Sequence, residues 1–128
     1  MQDDVLIVLN EQEASKADKA QQLLTALEQQ RLSVSRLKPG KNLDHLLRQR
    51  NPRFVVLDYL LGDFGTAVDI LHNAASESTV GSTRFLLWTD EPSVKVAVSA
   101  MKLGAIDYIE IDSPRSVENV VERIVEHC

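Results

Sequence analysis

Short blocks of contiguous apolar residues alternate along this chain with longer stretches in which apolar residues recur every three or four positions. Val5-Leu6-Ile7-Val8-Leu9, Phe54-Val55-Val56-Leu57 and Phe85-Leu86-Leu87-Trp88 are each too short for a helix and carry no polar alternation, as strands buried on both faces do. Leu32 to Leu37 alternates apolar and polar, which predicts a half-buried edge strand, and Tyr108-Ile109-Glu110-Ile111 reads as the last strand. Between them lie helical patterns. Ala17, Ala20, Leu23, Leu24 and Leu27 share one face; after the Pro39-Gly40 break, a short helix carries Leu43, Leu46 and Leu47. A third helix, from about Thr66, buries Ala67, Ile70, Leu71 and Ala74, and Ser76 to Ser82 forms a polar loop. Pro92-Ser93 opens a fourth helix, with Val94, Ala97, Val98 and Met101 facing inward and Gly104 near its end. Ser113-Pro114 predicts a serine N-cap followed by proline at the first helical position, and Val117, Val120, Val121, Ile124 and Val125 form the stripe of the closing helix.

Five β-α units in succession imply an α/β fold in which a parallel, doubly wound sheet is covered by helices on both faces. At 128 residues, the chain builds one core. Residues 1–128 are therefore read as a single domain, either whole or cut from a longer protein. The net charge of −5 argues against nucleic acid as a partner, because phosphate-backbone binding needs a basic face. The lone cysteine, Cys128, excludes an internal disulfide and a cysteine-based zinc site. No apolar run is long enough to span a membrane, and Met1-Gln2-Asp3-Asp4 does not read as a signal peptide; the expectation is a cytoplasmic domain without a membrane partner.

The chemistry centres on Asp58, which follows the apolar run 54–57. Open α/β sheets place their sites at the carboxyl ends of the strands, near the point where strand order reverses, and an acid is tolerated there because it emerges at the strand tip. Three such tips matter. The first strand leads into Asn10-Glu11-Gln12-Glu13, the third ends at Asp58, and the fourth ends at Thr89-Asp90. A carboxylate, a hydroxyl and further acids at one rim suit a hard cation and a phosphoryl group. No glycine-rich loop follows the first strand, which weakens a nucleotide- or flavin-binding reading. His45, His72 and His127 show no metal-ligand spacing and are expected to face solvent.

Val55-Val56-Leu57-Asp58, Leu86-Leu87-Trp88-Thr89 and Gly104-Ala105-Ile106-Asp107-Tyr108-Ile109, in this order and spacing, resemble the receiver domains of bacterial two-component response regulators. The resemblance runs from Val5 to Val125. It implies a five-stranded flavodoxin-like (β/α)5 fold and a signalling module with no catalytic residues of its own, not an enzyme. It implies Asp58 as phosphoacceptor in a phosphorelay, with Thr89 and Tyr108 as switch residues that follow the phosphoryl group inward. Magnesium would be the cofactor, held by Asp58, by the Leu60 carbonyl and, at the first strand tip, by Asn10 and Glu11. The implied partners are a sensor histidine kinase or phosphotransfer protein as donor, and an output domain or partner protein as reader. A homodimer through the fourth helix, fifth strand and fifth helix is one arrangement the family uses.

Three positions depart from the family pattern. Leu9-Asn10 stands where the family has an acidic pair, Ile111 stands where it has a lysine, and Asp90 stands where a small residue follows the hydroxyl. Glu11, Glu13, Asp18 and Asp90 are the acids that could compensate, and Lys102 is the lysine. Two readings stay open: a receiver phosphorylated on Asp58, and a pseudo-receiver that signals by protein contact alone. A third class, a flavodoxin-like domain holding a small-molecule cofactor, stands behind both.

Overall fold

The computed structural model describes residues 4–12, 14–76, 83–90 and 93–128. Five strands, β1 (Val5–Val8), β2 (Val34–Leu37), β3 (Phe54–Leu57), β4 (Arg84–Thr89) and β5 (Asp107–Glu110), alternate with five helices. The helices are α1 (Ala14–Gln29), α2 (Leu43–Arg50), α3 (Ala67–Ser76), α4 (Val94–Lys102) and α5 (Ser116–Glu126), and a 3-10 turn lies at Gly62–Phe64. All strand pairings are parallel and the order is β2-β1-β3-β4-β5. The chain reverses its winding direction at β1, which puts the switch-point crevice between the tips of β1 and β3. The fold is the α/β doubly wound sheet expected from the alternating pattern.

The period of two along each buried strand divides the core. Val5, Ile7, Phe54, Val56, Leu86 and Trp88 face one side, where Ala20, Leu23 and Leu27 of α1 and Val120 and Ile124 of α5 cover them. Leu6, Val8, Val55, Leu57, Phe85 and Leu87 face the other, under Leu43 and Leu47 of α2, Ala67, Ile70 and Leu71 of α3, and Ala100 of α4. Continuous apolar runs in β1, β3 and β4 thus serve two half-cores at once. β2, at the edge, is half-buried throughout, as its alternating sequence predicts.

Several local expectations are corrected. On α4, Val94, Val98 and Met101 point to solvent, with Val94 82% and the other two 46% exposed, while Ala100 is buried and Val96 and Leu103 pack against the core. The helix is apolar on nearly every side, so its spacing fits more than one inward face. Val125 on α5 is likewise exposed. Ser113 does not cap α5: its hydroxyl donates to the Glu110 carbonyl, and the helix starts three residues later, after Arg115 in a left-handed conformation. Ser116 instead donates its hydroxyl to the Ile111 carbonyl at 2.7 Å, tying the start of α5 to the end of β5. At α4 the serine of the Pro92-Ser93 pair does cap, Ser93 Oγ accepting from the Val96 N–H; Pro92 and residues 77–82 of the expected polar loop lie outside the described residues. His127 is half-buried, its Nδ1 2.8 Å from the Arg123 carbonyl, whereas His45 and His72 are exposed. No helix among the described residues is long and apolar enough to cross a membrane.

Candidate functional site

β1 and β3 run side by side in register from Val5 with Phe54 to Val8 with Leu57, so the residues just beyond them meet at the crevice. Asp58 N–H still donates to the Val8 carbonyl at 2.9 Å, which holds its backbone in line with the strand. Its side chain is fully buried. A carboxylate so placed costs several kcal/mol of lost hydration, roughly, unless partners replace the water. Three residues supply those partners, and a fourth shares one of them. The Asn10 N–H donates to Oδ2 at 3.1 Å, the Lys16 ammonium donates to the same oxygen at 2.7 Å, and the Thr89 hydroxyl donates to Oδ1 at 2.6 Å. Asp90 also reaches the ammonium, 3.1 Å from Nζ, with its own side chain 41% exposed.

Lys16 is the residue that sequence reasoning missed. It lies in the first turn of α1 and is only 8% exposed. Its place follows from the helix period: Lys16, Ala20, Leu23 and Leu27 fall at steps of four, three and four, and all four are buried. The signal was therefore present, one turn before the apolar stripe begins. Burial alone would lower the Lys16 pKa, but the hydrogen bonds and negative charges of Asp58 and Asp90 outweigh it, and the ammonium is held above the ordinary lysine value of 10.5.

The other expected residues are distributed as follows. Thr89 joins Asp58 directly, before any ligand is considered. Tyr108 lies on β5 opposite Leu87, half-buried against the core on the α2, α3 and α4 side. Leu60 is half-exposed and its backbone bridges to Thr66. Glu11 pairs with Arg36 of β2. Asp18 is exposed on α1, and Glu13 lies outside the described residues. Lys102 is exposed at the end of α4, so it is Lys16, from the opposite face of the sheet, that brings an ammonium to Asp58. Leu9 and Ile111, at the departed family positions, are buried core residues.

Magnesium, which the resemblance implies, does not fit these residues. The described residues contain no group of three or more histidine, cysteine or acidic side chains able to hold a metal ion. Asp58 Oδ2 already carries an ammonium at 2.7 Å. A magnesium ion on that oxygen, at its usual ~2.1 Å, would lie no more than about 4.8 Å from Nζ. Their repulsion would be at least about 7 kcal/mol at an effective dielectric of ~20. Among the described residues of the β1 tip no unpaired acid offsets it: Leu9 and Asn10 carry no charge, and Glu11 is paired with Arg36.

This strand order and helix arrangement are shared with solved receiver domains of response regulators. The signal receiver domain of a putative Luxo repressor protein from Vibrio parahaemolyticus superposes with a TM-score of 0.77 at 19% identity, over 98% of this chain and 92% of that one. The Francisella response regulator 1452 receiver domain gives 0.77 at 17% identity, over 97% and 94%. In sequence, the chain is similar to the acid tolerance regulatory protein ActR of Sinorhizobium medicae (strain WSM419), 29% identical over 79 residues. That match covers 62% of this chain and 38% of ActR. No protein-family model matches the chain.

Proposed function

We propose that this domain is a pseudo-receiver, a receiver-fold module that works through contact with a partner protein and not through phosphorylation of Asp58. The observation that carries this reading is the closure of Asp58: it is fully buried, and each carboxylate oxygen is engaged, one by Lys16 and Asn10 and the other by Thr89. An incoming phosphoryl group needs a free carboxylate oxygen in line with its leaving group and cations to neutralise it. Here the oxygens are occupied and the acids of a magnesium site are replaced by Leu9 and Asn10. The apolar side chains that α4 leaves exposed, Val94, Val98 and Met101, offer surface to a partner protein.

A second reading is favoured by one contact, the Thr89 hydroxyl on Asp58 Oδ1. In it Asp58 accepts a phosphoryl group from a histidine kinase or phosphotransfer protein, and Thr89 and Tyr108 carry the change to the surface. Incubation with a small-molecule phosphodonor in magnesium, followed by intact-protein mass spectrometry, separates the two. The pseudo-receiver reading expects no acyl phosphate. A phosphorylated species that Asp58→Asn abolishes would replace it with the second.

A further inference from the structure

We infer that the Lys16 ammonium is a tethered cation that takes the place of a divalent metal beside Asp58. The inference deepens the pseudo-receiver reading and rests on the same pocket, but it concerns which cation balances that pocket, a question that phosphorylation does not decide.

One residue accounts for all three departures. An ammonium 2.7 Å from Asp58 needs one negative partner and not the acidic cage of a dication, so the β1 tip can be the apolar Leu9 and the uncharged Asn10. An ammonium arriving from α1 makes a lysine at the end of β5 redundant, and Ile111 there joins the core instead. Asp90, an acid where another charge beside Asp58 would be repelled, is tolerated because Nζ stands 3.1 Å from it and 2.7 Å from Asp58. A lysine stem four carbons long suits this: its methylene groups pack as apolar surface while its head reaches the carboxylates. The cation is thus covalently supplied, present at every metal concentration, and placed by the helix period that buries Ala20 and Leu23.

The test is a manganese titration of the isotope-labelled domain, followed by paramagnetic broadening of the amides of Asn10, Asp58, Thr89 and Asp90. The wild type should show no selective broadening at these amides. Lys16→Ala, which leaves Asp58 and Asp90 facing a vacated space, should gain it, with manganese bound about tenfold more tightly than by the wild type or better, and Asp58→Asn in that background should remove it. Selective broadening in the wild type that Asp58→Asn abolishes would overturn the inference, as would a folded Lys16→Ala protein with no broadening at the site. If Lys16→Ala does not fold, Lys16→Ser serves in its place, and the wild-type arm decides alone if neither does. Adding beryllofluoride, a phosphoryl mimic, with and without magnesium, keeps the two proposals apart. No response in either condition upholds both. A response only with magnesium overturns both. A response without any metal overturns the pseudo-receiver reading while upholding Lys16 as the resident cation.

Discussion

Lys16 and Asp58 are 42 residues apart in the chain and 2.7 Å apart in the fold, each buried, one in the first turn of α1 and the other just past β3. Their pairing ties the helix that covers one face of the sheet to the strand at its centre.

Removing one partner of such a pair should cost more than removing both. Lys16→Met leaves Asp58 buried with only the Thr89 hydroxyl and the Asn10 N–H, and should destabilise the domain by about 3 kcal/mol. Lys16→Met combined with Asp58→Leu removes the stranded charge and should recover most of that loss. Urea denaturation of the four members of this double-mutant cycle measures both quantities. Equal losses in the single and double variants would mean that the pair contributes packing alone.

Stability should fall at alkaline pH through Lys16. Its pKa is raised in the fold above the ordinary value of 10.5, so above that value the native state holds its proton more tightly than the unfolded chain does. The contribution is fully present below the unfolded pKa and is lost as pH rises through the folded one. Melting temperatures of the wild type should therefore hold up to about pH 10 and drop beyond it, more steeply than those of Lys16→Met, which lacks the proton.

Thr89→Val keeps the shape of the side chain but strips Asp58 Oδ1 of its donor at 2.6 Å. A buried acceptor left without a partner costs about 1–3 kcal/mol. Thr89→Ser, which keeps the hydroxyl, should cost less, and chemical denaturation of the two variants makes the comparison.

Gly65, in the connection from β3 to α3, has φ +90 and ψ −148, a conformation that side chains do not tolerate. A Cβ there would also lie 2.6 Å from Asp69 Oδ2, the oxygen that accepts the Thr66 N–H at the start of α3. Gly65→Ala should destabilise the domain by about 1–3 kcal/mol. Replacing this glycine by D-alanine through chemical synthesis should relieve the backbone part of the cost.

On α4 the two faces should respond differently. Val94→Ser removes an apolar side chain from solvent and should change stability by less than about 0.5 kcal/mol. Ala100→Leu forces extra volume into the core between α4 and the sheet and should cost about 1–3 kcal/mol. Thermal denaturation of the two proteins tests the corrected orientation of this helix.

The fold was legible because its strands carry their own evidence. Val55 and Leu57 face one half-core and Phe54 and Val56 the other, and only a strand covered on both sides needs four apolar residues in succession. The place of Asp58 at the strand tip followed from the same run. Two things could not be read along the chain. On α4, Val94, Val96, Val98, Ala100 and Met101 fit more than one inward stripe, and only contacts with α3 and β5 select Val96 and Ala100. At the site, the helix period turns Lys16 inward, but nothing along the chain pairs it with an acid 42 residues away. Glu11 illustrates the reverse case: the edge strand presents Arg36, which pairs with it.

Of the three charges that meet at the end of the sheet, Asp90 alone is open to water. Dissolved ions can crowd around that carboxylate and weaken its hold on Lys16, but they have no access to Asp58. Added salt should therefore loosen the arm that reaches the tip of β4 and leave the arm that anchors α1 to β3 as tight as before, so that one ammonium ties two joints of unequal permanence.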